Sequence, residues 1–174
     1  MMLSRMDEKS KRISAALRIW KRVQPSHPDW KLVIVGGGDD LPWFKKLARG
    51  LQGVSFEGRQ PDSLPYYRGA SIFMLTSRYE GWGITLTEAQ QCGAVPVAFA
   101  SYASASDIIE SGANGLLVKD RDEKAFAQAL ETLMDDDKLR SSMALRGLDS
   151  VQAFRGKAVV SRWMELLEKT SAAK

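Results

Sequence analysis

The stretch SIFMLTSRYEGWGITLTEAQQCGAVPVAF, at residues 71–99, decides the fold of this chain. It begins with the apolar run Ser71–Leu75 and ends with a second apolar run, Val95–Phe99, both of strand length. The residues Ile84–Cys92 between them are predicted to form a helix that ends at Gly93. Two strands joined through a helix predict a parallel pair, because a parallel connection needs a long crossover.

The same alternation of strand and helix runs along most of the chain. Further strands are predicted at Leu32–Val35, Val54–Phe56 and Leu116–Val118, with a stub at Leu3–Met6. Further helices are predicted at Ser10–Val23, Leu41–Arg49, Leu64–Arg68, Ser106–Glu110, Glu123–Met134, Lys138–Phe154 and Lys157–Glu168. Pro96 lacks an N–H group, which predicts that its strand lies near an edge or pairs on one side only. This order predicts an α/β fold: a doubly wound, Rossmann-like parallel sheet forming a single domain over residues 1–174.

The composition excludes several classes of protein. The chain has 174 residues, one cysteine and one histidine, so it has no intramolecular disulfide and no His/Cys zinc site. Its formal charge of +4 suits an anionic ligand, and the basic residues are not interleaved with aromatic ones as nucleic-acid binding would favour. From the same pattern of basic residues we expect the chain to bind no nucleic acid. No signal peptide and no apolar run of membrane-spanning length is visible, so we expect a cytoplasmic chain.

The loop after the strand Ser71–Leu75 carries the most informative residues. Gly81 and Gly83 lack Cβ atoms at the turn, so the backbone there can approach a ligand closely. The helix that starts near Ile84 offers free N–H groups and the positive end of its dipole, which suits a diphosphate. Glu80 and Glu88 flank this turn, and carboxylates, which only accept hydrogen bonds, can bind sugar or ribose hydroxyls. From spacing alone, a turn cap at Glu80 and a solvated helix residue at Glu88 stay open as alternatives.

Glu80 and Glu88 resemble the E-x7-E motif of the family 4 retaining glycosyltransferases. The resemblance covers nearly the whole chain, although Trp82 stands where the family usually has Phe and Ser101–Asp107 stands where it commonly has a Gly-Gly pair. Other stretches that resemble the family's patterns are the Arg5 and Lys11 pair, Leu32–Gly38, Val54–Gly58, Ser77–Ala89, Gly93–Val97 and Asn114–Val118.

This resemblance implies that the chain is the C-terminal, donor-binding half of a GT-B fold, and that an N-terminal acceptor domain is absent. Arg5 and Lys11 would pair with the donor diphosphate, and Glu80 would hold hydroxyls of the transferred sugar. Glu88 would bind the ribose hydroxyls. The remaining donor-binding residues are Gly81, Trp82, Gly83, Ile84 and Thr85 at the diphosphate and sugar, and Arg59 and Gln60 at the base.

The resemblance also implies partners and setting. The donor would be a nucleoside-diphosphate sugar, UDP or GDP in type, and no metal or other cofactor is expected. The enzyme would be a hexosyl- or glycosyltransferase making a bacterial polysaccharide, lipopolysaccharide or glycolipid. Peripheral contact with the inner face of the cell membrane would come through the missing half. We expect these 174 residues alone to transfer nothing.

Two other functions remain open from the sequence. Gly36, Gly37 and Gly38 follow a strand, and Glu57 ends the next one, as in a dinucleotide-binding domain of the NAD type. Leu41 stands at the third glycine position of that motif, which argues against it. A non-catalytic module that binds a sugar nucleotide is the second alternative.

Overall fold

The computed structural model describes residues 1–172 and confirms a parallel α/β fold. The described chain contains six strands, and their bounds lie close to those predicted. They are β1 (Met2–Leu3), β2 (Leu32–Val35), β3 (Val54–Gly58), β4 (Ile72–Leu75), β5 (Val95–Phe99) and β6 (Leu116–Val118). The strands end where the sequence predicts because glycines or polar loops follow the apolar runs.

The helices alternate with these strands up to β6, after which three helices follow in succession. They are α1 (Glu8–Lys11), α2 (Ile13–Val23), α3 (Leu41–Leu47), α4 (Leu64–Arg68), α5 (Ile84–Gln91), α6 (Ala105–Ile108), α7 (Glu123–Asp135), α8 (Asp137–Ser150) and α9 (Gly156–Ala172). Asp122 and Asp136 cap α7 and α8, because their side chains accept hydrogen bonds from Ala125 N and Leu139 N.

The strands form two three-stranded parallel sheets, ordered β1-β2-β3 and β4-β5-β6. The backbone of Met1 joins them: its nitrogen donates to Ile72 O at 2.6 Å, and its carbonyl accepts from Met74 N at 2.9 Å. The spatial order is therefore β3-β2-β1-β4-β5-β6. The chain winds outward in one direction from β1 and in the other from β4, and such a reversal of strand order is where doubly wound sheets bind ligands.

The strands bury side chains on both faces of this sheet. In β4, Ile72 and Met74 pack in one hydrophobic cluster with α2 and α7, whereas Phe73 and Leu75 pack in another with α5. Because successive strand residues point to opposite faces, the sheet must have a helical layer on each side. The structure thus confirms the prediction of a doubly wound domain.

The predicted helix Ser10–Val23 is broken at Arg12, which is a correction to the sequence prediction. Arg12 has a left-handed backbone, with φ 49° and ψ 49°, and it separates α1 from α2. Its guanidinium donates to Ser77 O at 3.0 Å and to Asp120 Oδ1 at 2.8 Å. These distant contacts offset the cost of a left-handed conformation in a non-glycine residue, and no local pattern could have shown them.

The position of β5 also differs from the prediction made from Pro96. This strand is not at an edge, because it pairs with β4 on one side and with β6 on the other. Pairing with β6 begins at Val97, which lies opposite Leu116. Pro96 lies one residue before that register begins, so its missing N–H costs no hydrogen bond with β6.

The last helix differs from the others in its exposure. Along α9, Val160, Trp163, Met164 and Leu167 recur at helical spacing and are each at least half exposed, with Trp163 at 60%. This apolar stripe has no partner among residues 1–172. None of the helices in that range is both long and apolar enough to cross a bilayer.

The loop after β2 passes very close to the loop after β1. Gly36 has φ 134°, and a Cβ atom placed on it would lie 1.9 Å from the carbonyl oxygen of Ser4. Gly38 makes a similar approach, since its Cβ would lie 2.5 Å from Met6 O. These glycines are therefore explained by backbone crossing between the two loops.

Replacement of Gly36 by alanine should destabilise the protein because both the φ angle and the space oppose a side chain. We expect Gly36→Ala to lower the free energy of unfolding by about 3 kcal/mol, from strain and overpacking together. Gly50→Ala is the matched control, because Gly50 has φ 83° but a Cβ there would meet nothing within 4 Å. It should cost only about 1 kcal/mol, the strain alone. Equal losses in urea unfolding of the two variants would contradict the crowding at Gly36.

His27 connects the end of α2 to the end of α7. Its Nδ1 lies 3.2 Å from Val23 O and its Nε2 lies 2.9 Å from Asp135 Oδ1. Both partners only accept hydrogen bonds, so both ring nitrogens need a proton to satisfy them. Burial opposes the charge, but the hydrogen bonds to Asp135 and Val23 outweigh it and raise the pKa of His27. The histidine thus has a structural role, linking α2 to α7.

The raised pKa of His27 makes stability depend on pH. The contribution of the charged ring is fully present below the unfolded pKa of about 6.5 and is lost as the pH rises through the folded value. Stability measured by urea unfolding should therefore fall over that window. Asp135→Asn should remove most of this dependence, and a curve identical to that of the parent chain would contradict the assignment.

Candidate functional site

The loops after β1 and β4 meet above the point where the strand order reverses. Lys11 ends α1, which follows β1, and Glu80 lies in the loop after β4. Lys11 Nζ and Glu80 Oε1 are 2.6 Å apart, and their side chains are only 19% and 15% exposed. Two residues 69 positions apart in sequence, both predicted for the site, thus share one ion pair.

Glu80 is held by a second group as well. Ser77 Oγ donates a hydrogen bond of 2.6 Å to the same oxygen, Glu80 Oε1. Thr76 Oγ1 in turn donates to the carbonyl oxygens of Lys11 and Arg12, at 2.9 and 3.0 Å. The loop after β4 is therefore fastened to the start of α2 by both side chains and backbone, which fixes the position of the carboxylate.

The start of α5 has the geometry expected for an anion cradle. Gly83 precedes the helix with φ 92° and ψ 47°, a conformation that favours glycine, and no side chain caps the helix there. Its first turn is thus free to offer N–H groups to a ligand. A Cβ at Gly83 would also lie 3.3 Å from Tyr102 Oη and 3.4 Å from Leu86 Cδ1, so the position is confined as well as left-handed.

The neighbouring predicted residues differ in their surroundings. Gly81 is exposed and a Cβ there would meet nothing within 4 Å, so folding does not require a glycine at this position. Trp82 packs edge to face against Phe154, with ring centroids 5.2 Å apart, and stays 37% exposed. Ile84 is 63% exposed and Thr85 is partly buried. The side chain of Trp82 therefore packs beneath the loop and keeps an exposed edge.

Glu88 lies on the first turns of α5 and is not merely a solvated helix residue. Its Oε2 accepts a hydrogen bond of 2.7 Å from the hydroxyl of Tyr67, which α4 supplies. Tyr67 is 2% exposed, and burial together with Glu88 raises the pKa of its hydroxyl. One carboxylate oxygen is thus fixed by a buried donor, and the other is free to accept from a ligand.

A cavity of about 910 Å³ lies at the carboxyl ends of β1, β2 and β3. Arg5, Arg59 and Gln60 all line it, as do the three glycines after β2. Arg5 is 70% exposed and pairs with Asp7 at 2.8 Å rather than with Glu80. Gln60 Nε2 donates to Glu57 O at 2.6 Å, which leaves its amide oxygen to face the cavity. The structure therefore brings the predicted base-side residues together, next to the Lys11–Glu80 pair along the same edge.

The segment after β5, where the sequence departs from the resembled family, is bonded to the loop after β4. Ser101 Oγ donates to Ser77 O at 2.6 Å, and Ser104 Oγ donates to Trp82 O at 2.9 Å. Tyr102 Oη is buried beside Gly83 with no hydrogen-bond partner among residues 1–172, and burial raises its pKa. Side chains of this segment therefore contact the loop that leads into α5, at the position where the resembled family commonly has a Gly-Gly pair.

The residues described bring no three His, Cys, Asp or Glu side chains together in a group that could hold a metal ion. Glu57, the acidic residue of the dinucleotide alternative, does not line the cavity beside Gly36–Gly38. It lines a separate cavity of about 770 Å³ between α4 and the amino ends of β2 and β4. The acidic residue and the glycines of that alternative therefore line two different cavities.

Three residues of the site are not among those predicted from the sequence. Tyr67 holds Glu88, Ser104 holds the Trp82 carbonyl, and Arg12 holds the Ser77 carbonyl. Their partners lie 21, 22 and 65 positions away in the chain. Buried tyrosine hydroxyls usually find a hydrogen-bond partner, so the two tyrosines in Leu64–Arg68 were the local signal for the Tyr67 contact.

Known proteins are similar to this chain in sequence and in fold. Residues 1–148 match the family described as glycosyl transferases group 1. The chain is 31% identical over 144 residues to the lipopolysaccharide core biosynthesis glycosyltransferase LpsE of Rhizobium meliloti. This alignment covers 80% of the chain and 42% of LpsE. It is 27% identical to an uncharacterized glycosyltransferase of Haemophilus influenzae, over 87% of this chain and 44% of that protein. The chain thus spans less than half the length of these relatives.

Solved structures agree with the family match. The C-terminal domain of the glycosyl transferase group 1 protein LpcC from Francisella tularensis superposes with a TM-score of 0.78 at 28% identity, covering 87% of this chain and 83% of that one. A TarM mutant from S. aureus, in complex with UDP among other ligands, gives a TM-score of 0.88 at 22% identity, covering 95% and 34%. The second likeness shows the fold alone. From the match over residues 1–148, the chain belongs to the glycosyl transferases group 1 family.

Proposed function

We propose that this chain binds the nucleoside-diphosphate sugar donor of a retaining glycosyltransferase. The diphosphate would contact Lys11, Arg5 and the N–H groups at the start of α5, where cations and a helix terminus stabilise the leaving group. Glu80 would accept hydrogen bonds from the transferred sugar, and Glu88 from the ribose. The base would lie in the cavity lined by Arg59 and Gln60, and the donor would be of the UDP or GDP type.

The observation that carries this proposal is the ion pair between Lys11 and Glu80. Its 2.6 Å separation brings a cation and a carboxylate together at the reversal of strand order, where doubly wound sheets bind ligands. A phosphate would draw the ammonium group away, and the carboxylate would then be free to accept from sugar hydroxyls. UDP bound to the structurally similar TarM supports a ligand of this kind.

A second domain would complete the catalytic site. The relatives are about twice as long as this chain, so we infer that an N-terminal acceptor domain closes over this edge of the sheet in the whole enzyme. The exposed apolar stripe of α9 supports a partner surface of this kind. We infer that the chain alone binds the donor weakly and transfers nothing.

The setting follows from the same proposal. The whole enzyme would build a bacterial polysaccharide, lipopolysaccharide or glycolipid in the cytoplasm, with the missing half touching the inner face of the cell membrane. The lipopolysaccharide role in the name of LpsE supports this setting. The fixed cations and the helix terminus would do the work of a metal ion in stabilising the diphosphate.

Glu88 should give the chain a preference for ribose over deoxyribose. We expect one of UDP, GDP, ADP and dTDP to raise the melting temperature most. That nucleotide is then compared with its 2′-deoxy form, or with its ribo form if dTDP is best. The difference between the two shifts in melting temperature measures the effect of the 2′-hydroxyl. Removing the carboxylate in Glu88→Ala should weaken binding of the ribonucleotide by roughly ten-fold, the worth of a charge-assisted hydrogen bond. The measurement is a thermal-shift titration of each pair of nucleotides.

The matched control for this test is Glu165→Ala, which removes an exposed carboxylate from α9. It should leave the difference between ribo- and deoxyribonucleotide unchanged, whereas Glu88→Ala should abolish that difference. A preserved difference in Glu88→Ala, in a variant that melts cooperatively without ligand, would mean that the ribose lies elsewhere.

The two members of the ion pair should respond in opposite directions. Lys11→Gln should weaken binding of the best nucleoside diphosphate by roughly ten-fold, because a cation that faces phosphate is lost. Glu80→Gln should tighten it, because Lys11 no longer has a competing carboxylate, yet it should lose the additional affinity for the sugar-bearing donor. Calorimetric titration measures both, with Lys138→Gln on the exposed face of α8 as the control. Weakening of the diphosphate by both variants alike would contradict the assigned roles.

A further inference from the structure

A cationic cavity opens beside the Lys11–Glu80 pair, on the side away from the base cavity. It has a volume of about 320 Å³ and lies at the carboxyl end of β5, where Phe99 forms part of its wall. Both of its acidic lining residues, Glu8 and Glu123, begin helices. Its basic lining residues are Lys9, Arg12, Arg18, Arg78 and Arg121.

The carboxylates near this cavity do not neutralise it. Arg18 pairs with Glu123 through Nε and Nη2, at 3.0 and 2.6 Å, and Arg12 pairs with Asp120. Counting Asp120 with Glu8 and Glu123, three carboxylates face five cations, which leaves a net charge of +2. Such an excess in a recess focuses a positive potential and attracts anions.

Two of the cations are free to meet a ligand. Lys9 and Arg78 are exposed and form no ion pair within residues 1–172. Arg78 instead lies over the ring of Tyr79, with its guanidinium carbon 4.8 Å from the centroid. Stacking of this kind holds the guanidinium plane while leaving its N–H groups available.

Arg12 gives a third, independent indication that the cavity binds an anion. Its guanidinium lies 5.4 Å from the ring centroid of Phe99 and is only 14% exposed. Its Nε is buried and has no hydrogen-bond partner within the described chain. A buried, unsatisfied donor in a charged group is costly, so an acceptor that enters the cavity would gain a prepared partner.

The backbone conformation of Arg121 also indicates a binding site. This residue has φ 64°, one of two non-glycine residues with positive φ among residues 1–172, and the other is Arg12. Both line this cavity. Residues in this sparsely populated conformation often cluster at binding sites.

We propose that this cavity binds a phosphate group carried by the sugar acceptor, an inference that rests on the proposed donor function. Along the carboxyl edge of the sheet, the base cavity lies above β1 to β3 and the sugar-binding Glu80 follows β4. The cationic cavity lies on the α2 and α7 side of the same edge, and one of its lining residues, Arg78, is two positions before Glu80. An acceptor that attacks the donor sugar must approach from a position adjacent to it, and an anionic acceptor would place its phosphate here.

The side chains favour phosphate over other anions and over a membrane surface. Guanidinium groups present paired N–H donors that match the oxygens of a phosphate, and four of the five cations are arginines. The recess lies between the starts of α2 and α7 and is therefore walled on two sides. A single phosphomonoester fits such a recess, whereas a flat array of lipid headgroups would contact only its rim.

The test is an amide NMR titration of the full chain with glycerol 3-phosphate, a soluble phosphomonoester. We expect signals of Ala15, Phe99 and Arg121 to shift. The double variant Lys9→Gln/Arg78→Gln, which removes the two unpaired cations, should weaken binding by roughly ten-fold or more. The control Lys45→Gln/Arg49→Gln makes the same charge change on exposed residues at α3 and should leave the affinity unchanged.

Two further binding experiments distinguish a soluble phosphate ester from inorganic phosphate and from a lipid headgroup. Inorganic phosphate should bind at the same residues no more tightly than glycerol 3-phosphate, and a preference for the free ion would overturn an acceptor role. Vesicles of phosphatidylglycerol should bind equally to the parent chain and the double variant. Vesicle binding that the double variant loses, without binding of glycerol 3-phosphate, would overturn the proposal in favour of a lipid surface.

The same spectra distinguish failure of this inference from failure of the donor proposal. A nucleoside diphosphate should shift Gly83, Ile84 and Thr85, and the double variant should not change its affinity. No shift in the cationic cavity with glycerol 3-phosphate, while the nucleotide still binds at Gly83, would overturn the acceptor site alone. A nucleotide that leaves Gly83 unshifted would refute the donor proposal, and the acceptor assignment with it.

Discussion

The reversal of strand order between β1 and β4 is the constraint on which the site depends. The backbone of Met1 holds the two strands together through hydrogen bonds to Ile72 and Met74. From this seam the chain winds outward in opposite directions, so the connections after β1 and β4 cannot cover the same space. Ligands of doubly wound sheets bind at such a seam, among the residues that follow the two strands. Lys11 and Glu80 face each other because they occupy these positions.

The ion pair between these residues gives the site a defined structure. A lysine and a carboxylate that are both largely buried would each be costly without a partner, and each satisfies the other at 2.6 Å. The same pairing means that a ligand has to supply both an anion for Lys11 and hydrogen-bond donors for Glu80 to replace it. A sugar joined to a diphosphate offers both in one molecule. The proposed donor would therefore match both members of this ion pair.

Most of the fold could be predicted because its signals are local. Short apolar runs that end in glycine or polar residues mark the strands, and every one of them forms within a few residues of its predicted bounds. Glu80 and Glu88 could be named as candidates because their spacing around Gly83 resembles the motif of a known family, whereas spacing alone left other interpretations open. Pro96 misled the prediction because strand neighbours, and the residue at which pairing starts, are properties of the assembled sheet.

The rest of the site depends on contacts between distant residues. Arg12 breaks a helix that its neighbours favour, because Ser77 and Asp120, 65 and 108 positions away, hold its side chain. Tyr67 contacts Glu88 only after α4 has packed beside α5. The cationic cavity is likewise lined by residues spread from position 8 to position 123, so no short window of sequence contains it. Local patterns predict elements and motifs, and the packed fold decides which charged groups meet.

A crystal structure of the chain with the nucleoside diphosphate that stabilises it most would test the central claim most directly. We expect the diphosphate at Gly83 and Ile84, the ribose hydroxyls on the free oxygen of Glu88, and Lys11 drawn away from Glu80 toward phosphate. A nucleotide bound elsewhere, with the contact between Lys11 and Glu80 intact, would contradict the claim.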